Sequence, residues 1–233
     1  MNMQAHNAFS QVISADAIRT YVQRVYAYMV GGLLLTTASA VIVASSPTIQ
    51  QAIFDTPLFW VVLFAPLGMV LFLSARIDKM QPSTAAATFI AYALTNGLTF
   101  SAIFLVYELG SIFQVFFIAA GMYLAAAVYG YTTKRDLTGM GSFLFMGLVG
   151  LIIASIVNIF LDSSVLEFAA SVIGVLIFTG LTAYEMSQIK EQAIVMYAGE
   201  GLAHKRAIIG ALSLYLNFIN LFLYLLRLFG SRD

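Results

Sequence analysis

Charged residues are scarce in this 233-residue sequence, where Asp, Glu, Lys and Arg make up 9% of the chain, against about 25% in soluble domains. Hydrophobic residues make up 61%, and the mean hydropathy is +0.92. So few charges cannot cover a surface that faces water, so most of the outer surface must face lipid. The formal net charge is zero and no run of Lys or Arg occurs, so nothing indicates binding to nucleic acid.

Cysteine is absent, and this absence excludes disulfides, thiolate metal sites and cysteine nucleophiles. Histidine is nearly absent, since only His6 and His204 occur and both lie outside the apolar runs described below. A zinc protease needs a His-Glu-x-x-His helix, and a rhomboid-type serine protease needs a histidine within the membrane. We therefore predict that the protein is not an enzyme and has no catalytic residues, no cofactor and no certain metal ligands.

Seven apolar runs follow one another along the chain, each of about the 20 residues that a helix needs to cross a bilayer. They cover residues 25–46, 57–75, 84–106, 111–131, 140–161, 168–186 and 207–229. Because backbone polar groups in hydrocarbon must bond within their own segment, the runs are predicted to be helices. The sequence thus predicts an all-α membrane protein, with a cytoplasmic N-terminal tail over residues 1–24 and a seven-helix transmembrane domain over residues 25–230.

Lysine and arginine are distributed unevenly between the two sides of this arrangement. Nine of them lie on the side of the N-terminus: Arg19, Arg24, Arg76, Lys79, Lys134, Arg135, Lys190, Lys205 and Arg206. The opposite loops carry acidic residues instead: Asp55, Glu108, Asp162 and Glu167. The positive-inside rule therefore predicts a cytoplasmic N-terminus. Arg227 and Arg232 do not fit, and a re-entrant last helix would accommodate them, although we favour seven full crossings.

A polar stripe follows the last apolar run. Its members are spaced by four, three, four and three residues, which places them on one helix face: Ser213, Asn217, Asn220, Tyr224 and Arg227. A polar face along a whole crossing should meet protein or water rather than lipid. We therefore expect a central last helix with six helices around it, whose Ser213, Asn220 and Tyr224 line a polar pathway with Asn158 of the fifth run. Alternatively, such residues merely join helices by hydrogen bonds.

Glu185 is the most unusual carboxylate, because it lies within the sixth apolar run, near the predicted cytoplasmic end of that run. An ionisable residue inside a membrane span indicates a functional site. Arg76, directly after the second run, lies at the same depth and is the candidate partner of Glu185 in an ion pair. Alternatively, Glu185 only extends its carboxylate to the water at the membrane interface.

Two stretches near the end of the chain resemble motifs of the Bax inhibitor-1 family. Residues 182–190, TAYEMSQIK, are similar to that family's AYDTQxIK segment. Residues 211–230, ALSLYLNFINLFLYLLRLFG, are similar to the motif ALxLYLDFINLFLxLLRxFG of its final helix. Both motifs are long and occur in the family's order, and the number of apolar runs agrees with the family over the whole chain.

The resemblance implies a seven-helix bundle with a central last helix, and a proton-sensitive calcium leak channel. Family members carry a sensor of two aspartates on the last two helices, and an arginine after the second helix binds the first aspartate. The matching positions are Glu185, Asn217 and Arg76, so the first carboxylate is kept on a longer arm, whereas the second position cannot ionise. We expect Asn217 to donate a hydrogen bond to Glu185, although counting at about 1.5 Å per residue places Asn217 deeper in the membrane. Any pH gate should be blunted or shifted to lower pH, because a single carboxylate has no second group to share its proton.

Two functions are open at this point. The first is a pH-sensitive calcium or cation leak channel, in which Glu108, Asp162 and Glu167 would concentrate cations at the outer mouth. The second, which the resemblance to bacterial members implies, is a regulatory protein that binds and modulates a membrane-bound AAA+ protease or another membrane partner. In either case we expect a monomer in the lipid bilayer of a bacterial inner membrane, with no nucleic acid partner.

Overall fold

The computed structural model describes the backbone of residues 3–195 and 200–232 and the side chains of residues 16–193 and 202–232. Within these ranges every regular element is a helix. The helices are α1 (Met3–Ala44), α2 (Pro47–Phe54), α3 (Leu58–Arg76), α4 (Pro82–Phe100), α5 (Ile103–Val106), α6 (Leu109–Thr132), α7 (Thr138–Leu161), α8 (Ser164–Val195) and α9 (Glu200–Phe229), and a 3₁₀ turn, Ile77–Lys79, follows α3. The predicted all-α fold class is confirmed.

Seven helical segments in the described part of the chain are long and apolar enough to cross a membrane. They are Asp16–Ala44, Leu58–Lys79, Pro82–Val106, Leu109–Thr132, Thr138–Leu161, Ser164–Ala193 and Leu202–Phe229. They correspond one to one to the seven apolar runs, so the predicted number of transmembrane helices is confirmed. The first segment begins within the predicted tail, because α1 continues unbroken through residues 16–24. The side chains of residues 1–15 lie outside the described part.

Local sequence explains where several helices begin and end. Pro47 and Pro82 occupy the start of α2 and α4, where the missing N–H group of proline has no partner to lose. Asp162 ends α7 in the left-handed conformation, with φ at 47°, and its N–H donates to the carbonyl oxygen of Asn158 at 2.8 Å. The chain therefore reverses within two residues and starts α8 at Ser164.

The chain forms two compact units. They comprise Met1–Ala102 with Ile189–Leu212, and Ile103–Gln188 with Ser213–Asp233. Helices α8 and α9 each contribute residues to both units. The predicted sensor positions are divided accordingly, because Arg76 belongs to the first unit whereas Glu185 and Asn217 belong to the second.

Hydroxyl groups join helices in the first unit, where α4 packs against α1 and α3. Thr36 Oγ1 of α1 donates to the carbonyl oxygen of Ala93 in α4 at 2.9 Å. Thr99 Oγ1 of α4 donates to the carbonyl oxygen of Val62 in α3 at 3.0 Å. Lipid tails are as apolar as the helices, so hydrogen bonds and close packing, rather than burial from water, hold these helices together.

Close backbone approach dominates the second unit. Gly130 of α6 faces the carbonyl oxygen of Ala183 in α8, and a Cβ atom at position 130 would overlap it. A Cβ atom on Gly174 of α8 would lie 2.7 Å from ring atoms of Tyr224 in α9. Glycine is therefore required at both positions, because any side chain would push α8 away from its neighbours.

The last helix is long and continuous enough for a full crossing. Helix α9 has 30 residues without interruption, which corresponds to about 45 Å and exceeds a hydrocarbon core of about 30 Å. Its end lies beside the start of α6, because Tyr107 and Arg232 form an antiparallel bridge. Helix α6 begins directly after the loop between the third and fourth spans. Seven crossings would place this loop and the end of α9 on the same side of the membrane.

Candidate functional site

The polar stripe of α9 is largely enclosed. Asn217 is only 6% exposed, Ser213, Asn220 and Tyr224 are half-buried, and Arg227 is exposed. Within the span Leu202–Phe229, 67% of the residues in the most apolar stretch are buried. This is the highest share among the seven candidate spans in the described part of the chain. The burial agrees with a helix surrounded by others, although the arrangement of six helices around α9 stays a prediction.

The last three residues of the stripe make contacts within α9 and with α8. Asn220 Nδ2 donates to the carbonyl oxygen of Leu216, one turn earlier in the same helix, at 2.8 Å. The ring of Tyr224 stacks on Phe178 of α8, with 5.8 Å between ring centroids. The guanidinium carbon of Arg227 lies 5.3 Å from the centroid of the Tyr224 ring. The amide nitrogen of Asn220, the ring of Tyr224 and the guanidinium of Arg227 therefore have partners within the unit.

Asn217 differs from its neighbours, because its Nδ2 atom is buried and has no hydrogen-bond partner among the described residues. The expected donation to Glu185 is therefore not made in this structure. Thr179 Oγ1 of α8 is a second buried polar atom without a partner. A buried polar group without a partner costs about 1–3 kcal/mol, so each of these atoms indicates a position at which a further group, such as water, would bind.

Glu185 lies in α8 within the same unit. Its side chain is half-buried, and the second unit gives it neither a hydrogen bond nor an ion pair. Arg76 ends α3 in the first unit and its side chain is exposed. The pairing of Arg76 with Glu185 stays a prediction. The second unit therefore contains three polar residues that its own hydrogen bonds do not satisfy, namely Thr179, Glu185 and Asn217.

Asn158 has a structural partner at the end of α7. Its Oδ1 atom accepts a hydrogen bond from the backbone N–H of Ser163 at 3.1 Å, which closes the turn between α7 and α8. Asp162 lies inside this turn and is exposed. The turn explains both residues by local geometry, and their predicted roles in a pathway and at an outer mouth stay predictions.

The other two predicted outer carboxylates both lie next to the segment that follows α9. Glu108 precedes α6, its side chain is exposed, and its backbone N–H donates to the carbonyl oxygen of Ser231 at 3.1 Å. Glu167 pairs with Arg232 at 3.7 Å. The charge of Glu167 is therefore partly balanced by an arginine of the chain itself, which weakens its attraction for a soluble cation.

Sequence reasoning missed a second polar cluster, at the start of α9 in the first unit. Tyr28 Oη and His204 Nε2 are 2.6 Å apart. Asp78 accepts from Lys205 Nζ at its backbone oxygen, at 2.9 Å, and from Arg206 Nη2 at its carboxylate, at 3.4 Å. No local pattern indicated these pairs, because the partners are separated by more than 120 positions in the sequence.

Metal ligands are not clustered in the described part of the chain, which holds no group of three or more His, Asp or Glu side chains that fits a metal ion. The site is therefore a set of polar residues among apolar helices. Its members carry one carboxylate, one amide and one hydroxyl group in the second unit.

Comparison with known proteins gives consistent matches over nearly the whole chain. The family model described as "Inhibitor of apoptosis-promoting Bax1" matches residues 18–233. The inner membrane protein YbhL of Escherichia coli K12 is 43% identical over 217 residues, which cover 92% of this chain and 93% of that protein. The uncharacterised protein RP147 of Rickettsia prowazekii is also 43% identical over 217 residues, covering 93% and 92%. An uncharacterised protein of Deinococcus radiodurans is 38% identical over 228 residues, covering 97% and 96%.

Proposed function

The chain belongs to the Bax inhibitor-1 family and is an integral membrane protein, and from that premise we propose that it is a pH-sensitive cation leak channel that conducts calcium. The observation that carries the proposal is the unpartnered Nδ2 atom of Asn217, buried on the polar face of α9. Polar groups are costly inside a membrane protein, and those that face its interior are typical of ion or proton pathways. Water or a hydrated ion beside Asn217 would supply the missing partner.

Glu185 and Thr179 extend the same argument to α8. Thr179 Oγ1 is buried without a partner, and Glu185 lies almost two turns further along the helix. An ionised Glu185 attracts cations, whereas a protonated Glu185 leaves only dipoles along the path. Because Asn217 does not titrate, the total charge of Glu185 and Asn217 changes in one step rather than two. We therefore propose that Glu185 alone sets the pH response.

Calcium uptake into proteoliposomes of purified protein, measured across pH, tests this proposal directly. Wild-type protein should pass calcium above the level of empty liposomes. Glu185→Gln should remove most of the pH dependence, because the glutamine cannot ionise. Asn217→Asp should restore a second titrating group and so change the pH profile.

Identical pH profiles for the wild type and Asn217→Asp would contradict the role of the Glu–Asn pair. Absence of flux at every pH would contradict the channel itself, and would favour the alternative of a regulatory protein that binds a membrane protease or another membrane partner.

We also propose that the N-terminus is cytoplasmic and that the membrane is a bacterial inner membrane. The name of the Escherichia coli relative states that location for that protein, and the nine Lys and Arg residues on one side support the orientation. The cysteine-free chain makes a direct test simple. A membrane-impermeant thiol reagent added to intact spheroplasts should label Ser163→Cys but not Thr133→Cys, and the reverse result would invert the topology.

A further inference from the structure

Three residues after α9 contact three different helices of the second unit. The segment Gly230–Arg232 lies against the start of α6 through Tyr107 and Glu108, and against the start of α8 through Glu167. It is also the direct continuation of α9. One short segment therefore connects the ends of α6, α8 and α9 on a single side of the membrane.

Backbone hydrogen bonds fix the course of this segment. Ser231 accepts from the backbone N–H of Glu108 at 3.1 Å and donates its own N–H to Ser111 Oγ at 2.8 Å. Ser111, at the start of α6, is only 8% exposed. Gly230 makes the close approach possible, because a Cβ atom there would overlap the carbonyl oxygen of Leu226 and lie 2.7 Å from ring atoms of Tyr107.

The side chain of Arg232 adds two further contacts. Its guanidinium carbon lies 5.6 Å from the ring centroid of Tyr107, and its Nη2 atom lies 3.7 Å from Glu167 Oε1. A hydrogen bond with Tyr107 raises the pKa of Arg232, so the cation remains charged under all ordinary conditions. Both partners of the ion pair are about half exposed, so this pair is weak by itself and is screened by salt.

The contacts of this segment exceed what the end of a helix requires. A helix end needs partners only for its own last carbonyl groups, and Gly230 N–H already donates to the carbonyl oxygen of Leu226 at 2.8 Å. The contacts of Ser231 and Arg232 instead reach residues more than 60 positions away in the sequence. Several weak contacts of this kind open and close readily while favouring the closed state.

We propose that the segment Gly230–Arg232 is a clasp that closes this end of the second unit, and that its release admits water and cations to the polar residues within. The part of the inference that concerns cations rests on the proposed channel function. The part that concerns opening rests on contacts alone. Under the predicted orientation the clasp lies on the outer side, where calcium would enter.

Accessibility of position 111 tests the opening without any measurement of flux. Ser111→Cys introduces the sole thiol of the chain and leaves Ser231 a weaker sulfur acceptor in every protein compared, and its reaction with a membrane-impermeant methanethiosulfonate reagent is followed on the full chain in detergent micelles. Adding Arg232→Gln should raise the reaction rate about fivefold, the factor that corresponds to losing about 1 kcal/mol from the closed state. Gly230→Ala should have at least the same effect, because its methyl group would clash with the carbonyl oxygen of Leu226 as well as with Tyr107 and so displace the segment.

Arg227→Gln is the matched control, since it removes a positive charge from the same end of α9 without touching the clasp. Its labelling rate should equal that of Ser111→Cys alone. Equal rates for all four proteins would overturn the clasp, whatever their flux. Arg232→Gln changes an exposed side chain, so loss of folding does not confuse its result, and melting temperatures measured alongside check the same point for Gly230→Ala.

Calcium flux then tests what the clasp controls. Arg232→Gln should increase uptake into proteoliposomes, and a Ser111→Cys/Ser231→Cys disulfide, the sole one that the chain can form, should reduce uptake until a reductant is added. Faster labelling with unchanged uptake, in a protein that does conduct, would overturn control by the clasp. If no variant conducts, the proposed function fails, and the labelling rates alone decide whether the clasp exists.

Discussion

Helices α7 and α9 differ in how much of their surface the rest of the protein buries. In the most apolar window of α7 only 6% of the residues are buried, whereas the value for the span of α9 is 67%. Local hydrogen bonds cap the two ends of α7, to Asp136 before its first turn and to Asn158 at its last, and one side of the helix meets α8, where Leu144 lies beside Gly180. Helix α9 is packed along its length, with residues such as Leu214 and Leu221 fully buried.

The difference reverses the rule for soluble proteins, in which the most apolar helix is the most buried. Here α7 exposes long apolar side chains such as Phe143 and Phe160, whereas the buried helix carries the polar stripe. Lipid solvates apolar side chains as well as the protein interior does, so apolar character does not select the interior. Polar character does select it, because an amide such as that of Asn217 finds no partner in hydrocarbon.

Truncation of large side chains should give the largest contrast between the two helices. Leu221→Ala on α9 removes a fully buried side chain and should lower the free energy of unfolding by about 2–5 kcal/mol. Phe160→Ala on α7 removes a side chain that is 83% exposed, so lipid fills the space and the effect should be near zero. Unfolding by SDS in mixed micelles measures both, and equal losses would contradict the assignment of α7 to the lipid.

Glycine substitutions should give the next largest contrast. Gly174→Ala places a methyl group 2.7 Å from the ring of Tyr224 on α9 and should cost about 1–3 kcal/mol of unfolding free energy. Gly150→Ala on α7 meets nothing within 4 Å, so it should be neutral or slightly stabilising. The same SDS titration compares them, and a destabilised Gly150→Ala would indicate a neighbour for α7 beyond this chain.

The two asparagines should respond with opposite signs. Asn217→Leu replaces a buried amide nitrogen without a partner by an apolar group of similar shape, and should raise the unfolding free energy by about 1 kcal/mol. Asn158→Leu removes the bond to the backbone of Ser163 and should lower it by about 0.5–1.5 kcal/mol. The same variants also separate stability from function, because Asn217→Leu should reduce calcium flux. Destabilisation of both by similar amounts would mean that a bond from Asn217, to a bound water for example, contributes to stability as much as the bond of Asn158 does.

Helix number and the polar face of α9 follow from the sequence, because both depend on local periodicity and on the length of a crossing. The role of Asn158 does not, because its bond to the N–H of Ser163 exists only once Asp162 has turned the chain. The partners of Arg232 also cannot be predicted from sequence patterns. Its charge was an exception to the positive-inside distribution, and only the fold brings Tyr107 and Glu167 to it from 65 or more positions away.

Loss of the hydrogen bond between Thr138 and Asp136, at the first end of α7, should give the smallest effect, and this effect should depend on pH. Hydrogen bonds from the hydroxyl and the backbone N–H of Thr138 lower the pKa of Asp136 below its ordinary value of 3.8. Because the pKa is lower in the folded state, this contribution to stability is present above pH 3.8 and is lost as the pH falls through the folded pKa.

Asp136→Asn should therefore melt slightly below the wild type at pH 6, and the two melting temperatures should converge as the pH falls below the ordinary pKa of aspartate. Asp55→Asn, in a loop of the first unit, is the control for a general change of charge. Because the Asp136 bond caps only the first turn of α7, a small loss there should appear first as faster hydrogen exchange in that turn. A constant difference in melting temperature across pH would show that the carboxylate charge of Asp136 has no part in holding α7.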